Sequence, residues 1–292
     1  MLFYSYKTAQ ILLRLMPSFL RKALSFVIAR IVYFCDTKHR KIVYKNLDYF
    51  LGDISDKNEQ KRIAKMVYLR FVRYLFDLIS CKYRNAETLS DFVTAENDAQ
   101  IRESIANNEK IIMITAHYGY WELIGQSFSA FYRPLASIAV ALQDSKRLTA
   151  ELDRYRERYK IETLPKKGAM RGIAAALKQQ KIVGFLPDQS TQKGASVKFF
   201  GRDLVWQDSA SRLAKQFDAV IYPAYITTDD FNRYTINFGD PIRPDCTMDK
   251  ESDIARMAQL EVSSLEAAIR RKPDEYFWLH KRLKHQQKHF YD

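Results

Sequence analysis

Cysteine is scarce in this sequence, which has three such residues in 292: Cys35, Cys81 and Cys246. Their number is odd, they are widely spaced, and none forms a Cys-x-x-Cys pair, so a disulfide framework or zinc knuckle is disfavoured. We therefore expect reduced thiols facing a reducing compartment. A nucleophilic cysteine that carries an acyl group is also disfavoured, because none stands beside a histidine motif that would activate it.

Long apolar runs are also missing. A membrane-spanning helix needs about 20 mostly apolar residues. The apolar N-terminal region is interrupted by Lys7, Arg14, Arg21, Lys22 and Arg30. No small-residue cleavage site follows a clean apolar core, so the sequence indicates no secretory signal. We expect a chain that neither spans nor crosses a membrane.

Several signatures of well-known sites are absent. The sequence contains no His-Glu-x-x-His, no Gly-x4-Gly-Lys-Ser/Thr and no Gly-x-Gly-x-x-Gly, which disfavours a zinc hydrolase, a P-loop enzyme and a dinucleotide-binding enzyme. Residues 125–129 approach the Gly-x-Ser-x-Gly elbow of serine hydrolases but lack its closing glycine. The usual DNA- and RNA-binding signatures are not visible either.

Positive charge, in contrast, is abundant. The net charge of +13 predicts an anionic partner, and residues 1–50 hold nine Lys/Arg against two Asp. Residues 4–35 are predicted to be helical, with a break near Pro17. The apolar residues that recur there at helical spacing are Leu20, Leu24, Val27, Ile28, Ile31 and Phe34. Such a basic amphipathic helix suits a membrane interface. The alternative is a helix packed on the domain with a solvated basic face.

Further along, helical and strand-like segments alternate. Predicted strands lie at about 110–116, 136–142, 181–186, 219–226 and 233–238. Predicted helices lie at 58–80, 121–132, 146–160, 169–179, 207–217 and 250–271, and residues 84–97 are predicted as a loop. This alternation predicts an α/β fold with a central, largely parallel or mixed sheet flanked by helices. An N-terminal helical arm (1–50) would precede one catalytic domain (51–292).

The most informative segment is His117-Tyr118-Gly119-Tyr120-Trp121-Glu122, directly after the first predicted strand. A histidine there would face a cleft, and Gly119 would let the chain turn into the next helix. Glu122 could then hydrogen-bond one imidazole nitrogen and leave the other as a base. The turn is required, because residues five apart on a continuous helix do not face each other. A packed or solvated histidine is the plainer alternative.

These residues resemble the H-x4-D/E motif of lipid acyltransferases, and more narrowly the late acyltransferases of lipid A biosynthesis. Four further blocks and one arginine occur in the same order as in that family. They are Arg40 with Asn46-Leu47, Arg158, Leu186-Pro187-Asp188-Gln189, Phe199-Phe200-Gly201, and the C-terminal run from Pro273 to Arg282. The resemblance covers nearly the whole chain.

The resemblance implies a glycerol-phosphate acyltransferase-like fold and transfer of a fatty acyl chain from acyl carrier protein to a hydroxyl of a lipid A precursor. It implies His117 as general base oriented by Glu122, and Arg158 and Asp188 as functional positions. Supporting roles would fall to Gly119, Trp121, Lys167 and Gln189. The chemistry needs no metal or other cofactor. The expected partners are acyl carrier protein, an anionic glycolipid and the cytoplasmic face of the inner membrane, with no nucleic acid.

The sequence allows other interpretations of the acceptor, of single residues and of the class of protein. Tyr120 stands where asparagine is common in the broader group, so the acceptor could be a lysophospholipid, a mannosyl glycolipid or an aminolipid. Arg158 could lie on a solvated helix face, and Asp188 could cap a loop. His280 and Trp278 are interpreted as structural. The rival from another class is a non-enzymatic basic binder of membrane or nucleic acid, for which the His117–Glu122 pair would have no use.

Overall fold

The computed structural model describes residues 2–80, 86–138, 146–165 and 168–292. In these ranges the helices are α1 (Leu2–Leu15), α2 (Ser18–Cys35), α3 (Thr37–Leu51), α4 (Lys57–Ser80), α5 (Ala99–Ala106), α6 (Trp121–Phe131), α7 (Lys146–Glu157), α8 (Ala169–Lys178), α9 (Ser209–Phe217) and α10 (Lys250–Arg271). The strands are β1 (Val93–Glu96), β2 (Lys110–Ile114), β3 (Leu135–Ile138), β4 (Ile161–Leu164), β5 (Ile182–Phe185), β6 (Ala195–Phe199), β7 (Arg202–Trp206), β8 (Ala219–Thr227) and β9 (Tyr234–Phe238).

Seven strands form one mixed sheet in the order β1-β9-β8-β2-β5-β3-β4. Neighbouring strands run parallel except β8 and β9, which are antiparallel. Strands β6 and β7 form a separate hairpin, whose turn residues Phe200 and Gly201 both have positive φ, as in a type I′ turn. The predicted α/β fold with a largely parallel sheet and N-terminal helices is confirmed.

The sheet contains strands that the sequence pattern did not predict. Strand β1 lies inside the predicted loop 84–97, and β4 begins directly after the predicted helix 146–160, whose last three residues form a turn after α7. Each is four residues long and lies at an edge of the sheet, where its pairing partner is distant in sequence. The predicted strand 136–142 is described only to Ile138, and residues 139–142 lie outside the described residues.

The N-terminal helices turn much of their apolar surface away from the protein. The predicted break occurs at Pro17, which precedes the first residue of α2. Helix α2 packs on α4 through a narrow stripe of Ser25, Ala29 and Tyr33. Its larger apolar side chains, such as Phe19 and Phe34, are 68% and 60% exposed. None of the described helices is both long and apolar enough to cross a membrane.

Buried charges attach the C-terminal segment to α4. Arg70 contacts Asp274 at 2.6 Å and Glu275 at 2.7 Å, and all of these side chains are 10% exposed or less. The Tyr74 hydroxyl donates to Glu275 at 2.5 Å, and the Thr228 N–H donates to the same carboxylate at 3.2 Å. A buried pair of this kind is costly to break, because its surviving partner remains buried and unpaired.

Replacing Arg70 with alanine should therefore destabilise the protein strongly. We expect a loss of about 3 kcal/mol or more in the free energy of unfolding, measured by denaturant unfolding. The matched control is Arg62→Ala on the same helix, whose side chain is 54% exposed and pairs with Glu59. That substitution should cost about 1 kcal/mol or less, and equal losses for the two variants would contradict the role given to Arg70.

Candidate active site

The sheet brings His117 and Asp188 together although they are distant in sequence. Strands β2 and β5 are parallel neighbours, and the Thr115 N–H donates to the Phe185 carbonyl just beyond β2. The loops that follow the two strands therefore leave the same edge of the sheet side by side. In α/β folds this edge, outside the carboxyl ends of the strands, is where ligands usually bind.

Both oxygens of Asp188 bind His117. Oδ1 lies 2.8 Å from the ring Nδ1, and Oδ2 accepts the His117 backbone N–H at 3.0 Å. The carboxylate makes Nδ1 the protonated nitrogen, so Nε2 carries the lone pair that a base needs. The Asp188 side chain is 4% exposed and that of His117 is 20% exposed.

The electrostatic surroundings favour proton uptake by the imidazole. Burial lowers the pKa of His117, but the charge and hydrogen bond of Asp188, with a smaller contribution from Glu122, outweigh burial and raise the pKa above its ordinary value of 6.5. Burial raises the pKa of Asp188, yet His117 and Arg282 hold it below its ordinary value. The pair can thus stabilise an imidazolium.

Amide and aromatic side chains lie around the imidazole ring of His117. The Gln189 side-chain nitrogen lies 3.3 Å from His117 Nε2 and can donate a hydrogen bond to it. The ring centres of Trp121 and Phe277 lie 5.2 and 6.2 Å from that of His117. Gln189 is exposed, so a substrate hydroxyl can displace its amide from the imidazole.

The turn after His117 requires glycine at position 119, because a side chain there would not fit. Its φ is +60°, and a Cβ there would lie 1.7 Å from the carbonyl oxygen of Ile226. Its N–H donates to the Glu275 carbonyl at 2.9 Å, and the Phe277 N–H donates to the His117 carbonyl at 2.8 Å. The His117 loop is thus held between the end of β8 and the C-terminal segment.

The structure corrects the predicted contact between Glu122 and the imidazole. The Glu122 carboxylate instead pairs with Arg156 of α7 at 2.7 Å, and Asp188 makes the orienting hydrogen bond. Glu122 lies in the first turn of α6 and faces α7, and it acts on His117 only through its charge. Glu122 and Arg156 border a cleft of about 930 Å³ beside β4.

The remaining predicted residues are spread around this centre. Arg158 is exposed and, with Lys7, Arg14 and Arg154, lines a basic cavity of about 360 Å³ between α1 and α7. Lys167 lies outside the described residues. His280 accepts the Ser190 N–H through Nε2 at 3.0 Å, and burial lowers its pKa to about 4, in line with the structural role predicted for it.

Two arginines at the site were missed by the sequence reasoning. One is Arg156, which no sequence signal distinguishes from its neighbour Arg158, since only the packing of α7 aims Arg156 at Glu122. Arg282 is 2% exposed and donates to the Gln189 carbonyl at 2.9 Å. Its place in the C-terminal block was the one available signal. Among the described residues, no group of three or more His, Cys, Asp or Glu is arranged to hold a metal ion.

Comparison with known proteins identifies the family. The family model described as "Bacterial lipid A biosynthesis acyltransferase" matches residues 1–285, which is nearly the full length of the chain. None of the curated proteins compared with the chain matches it. The resemblance inferred from the sequence blocks is therefore confirmed at the level of the family.

The titration of His117 tests the geometry of this site without any substrate. In the Asp188→Asn variant the raising effect of the carboxylate is lost while burial remains, so the pKa of His117 should fall below 6.5. The measurement is histidine ring NMR as a function of pH. Glu122→Gln is the matched control and should lower the pKa by less, so a larger drop in that variant would show that Glu122 is the main partner.

Proposed function

Because the chain belongs to the bacterial lipid A biosynthesis acyltransferase family, we propose that it moves a fatty acyl chain from acyl carrier protein to a hydroxyl of a lipid A precursor. The acceptor hydroxyl would belong to a 3-hydroxyacyl chain already attached to the sugar. The observation that carries this proposal is the His117–Asp188 pair at the carboxyl edge of the sheet, with one imidazole nitrogen fixed and the other available.

In the proposed reaction His117 acts as the general base. Nε2 removes the proton of the acceptor hydroxyl as its oxygen attacks the thioester carbonyl, because a neutral alcohol is a poor nucleophile. Asp188 orients the ring and stabilises the imidazolium. The tetrahedral intermediate collapses with cleavage of the carbon–sulfur bond, and His117 returns the proton to the departing thiolate. Helix α6 begins at Trp121, and N–H groups in the first turn of a helix can stabilise the oxyanion.

The cavity around Arg158 suits a phosphorylated acceptor, because its lining carries four basic side chains and one acidic one. Arg156 is half-buried at the edge of the cleft that Glu122 also borders, and the cavity around Arg158 lies on the same helix. Arginine and lysine side chains bind phosphate through charge-assisted hydrogen bonds. We assign the cleft to the acceptor headgroup and the Arg158 cavity to one of its phosphates.

The N-terminal region suits a membrane surface. Helices α1 and α2 expose large apolar side chains, including Leu15 at 79%, in a segment that is also rich in Lys and Arg. Apolar insertion together with attraction to anionic head groups is how interfacial helices bind lipid. We propose that residues 1–50 hold the enzyme on the cytoplasmic face of the inner membrane, where an acidic acyl carrier protein can approach its basic surface.

Acyl transfer is tested with labelled acyl carrier protein and a tetra-acylated, bisphosphorylated lipid A precursor. His117→Ala should keep its fold and lose transfer by about 10²- to 10⁴-fold, the usual contribution of a general base. His289→Ala, which removes an exposed histidine, is the control and should be fully active. Wild-type activity in His117→Ala would overturn the mechanism. If wild type makes no product, the acceptor assignment fails, and lysophospholipid and other glycolipid acceptors are assayed next.

A second assay tests the acceptor site. Arg158→Ala should raise the KM for a bisphosphorylated acceptor more than that for its monophosphorylated analogue, because the lost cation would bind only one of the two phosphates. Steady-state kinetics at fixed acyl donor concentration measure this ratio. Lys41→Ala, on the exposed side of α3, is the control for a general loss of positive charge. An equal rise in KM for both acceptors would refute a phosphate contact.

A further inference from the structure

A third cavity, whose lining does not include His117, lies between α2 and α4. It has a volume of about 360 Å³, and its lining is mostly apolar, with Phe19, Phe26, Leu69 and Phe231 prominent. None of its lining residues borders the cleft beside Glu122. Phe19 is 68% exposed and Phe26 is 49% exposed, so the cavity opens onto the apolar face of the N-terminal helices.

Two cations interrupt this apolar lining, and one of them is buried. Lys22 lies at the exposed rim, whereas Arg73 is only 5% exposed. In the part of the chain that the structure describes, Arg73 Nε and Nη1 have no hydrogen-bond partner. The guanidinium carbon lies 5.7 Å from the centre of the Phe231 ring. A buried guanidinium is costly unless its donors are paired, so this arrangement calls for an anion.

Arg70, three residues earlier on the same helix, provides an internal comparison. Its guanidinium lies 5.3 Å from the same Phe231 ring, but Asp274 and Glu275 neutralise it. Among the described residues, the protein therefore pairs the arginine that faces the C-terminal segment and leaves Nε and Nη1 of the one that faces the α2–α4 cavity without an acceptor. A ligand that enters from the surface can supply the missing acceptor.

We propose that this cavity binds an anionic membrane phospholipid, with its phosphate on Arg73 and Lys22 and an acyl chain along Phe19, Phe26 and Leu69. The lining favours a lipid over a free phosphate, because apolar side chains surround the two cations. Phe26 and Leu69 also line an adjoining groove of about 420 Å³, whose rim carries Arg30, Lys61 and Lys65. The acyl chain can thus contact apolar side chains, and the anionic head group can contact basic ones.

Such a lipid would contact both α2 and α4 and would stabilise their packing at the membrane surface. The exposed apolar side chains of α2 would enter the head-group region, while the phosphate would neutralise a cation beneath them. The site rests on the proposed membrane association and not on the proposed acyl transfer. The His117→Ala protein should consequently bind the lipid as wild type does, which separates failure of this inference from failure of the enzyme assignment.

Thermal unfolding distinguishes a ligand site from a structural arginine. Arg73→Met replaces an unpaired buried charge with an apolar side chain, so the lipid-free variant should have a Tm equal to or above that of wild type. Short-chain phosphatidylglycerol should raise the Tm of wild type but not that of the variant, because only the folded site binds the lipid. A lower Tm for lipid-free Arg73→Met, with the phosphatidylglycerol response retained, would overturn the proposal.

Vesicle binding separates the lipid from other sources of charge. Wild type should bind vesicles of phosphatidylcholine with about 30% phosphatidylglycerol more tightly than vesicles of phosphatidylcholine alone. The phosphatidylglycerol gives the vesicles a surface charge like that of an anionic membrane. Arg73→Gln and Lys22→Gln should each lose most of that preference, and Lys22 is exposed, so its replacement tests the site without threatening the fold.

The matched control is Lys41→Gln, which removes one positive charge from an exposed position on α3 outside both this cavity and the adjoining groove. Its preference for phosphatidylglycerol should fall much less than that of Arg73→Gln. Equal losses would mean that only overall charge matters and would overturn the site. Protection of wild type by inorganic phosphate as strong as that by phosphatidylglycerol would also overturn it, since it would indicate a free-anion site.

Discussion

The pairing of the His117 loop with the C-terminal segment is the contact on which the candidate active site depends. Backbone hydrogen bonds join His117 and Gly119 to Phe277 and Glu275, and Gly119 leaves no room for a side chain against Ile226. The C-terminal segment is itself fixed because Arg70 neutralises two buried carboxylates. Removing Arg70 would leave two buried carboxylates unpaired. The position of the His117 loop therefore depends on Arg70 of α4.

Within this frame a buried carboxylate determines the chemistry of the imidazole. Asp188 holds both the backbone and the ring of His117, which fixes the tautomer and outweighs the effect of burial on the pKa. Arg282 stabilises the loop that carries Asp188 by donating a hydrogen bond to the Gln189 carbonyl. In the proposed acyl transfer, positioning of this kind would lower the cost of bringing base, hydroxyl and thioester together.

Helix α4 connects this site with the proposed lipid surface. One of its faces presents Arg70 to the C-terminal segment, and another presents Arg73 to the cavity under α2. The Phe231 ring lies near both guanidinium groups. In the described part of the chain, Arg70 is buried with two carboxylates, whereas Nε and Nη1 of Arg73 are buried without an acceptor. In the proposed lipid site, binding of the anion would offset the cost of that unpaired charge.

The sequence alone determined the alternation of helices and strands, the break at Pro17 and the glycine-containing turn that carries His117, because these follow from local periodicity and backbone preference. It also determined the family, through blocks whose order survives along the chain. The partner of the imidazole was decided by tertiary structure. Glu122 is five residues from His117 and Asp188 is 71 away, yet Asp188 makes the contact because adjacent parallel strands deliver both loops to one edge. The edge strands β1 and β4 were decided in the same way, since their stability comes from neighbours that are distant in sequence.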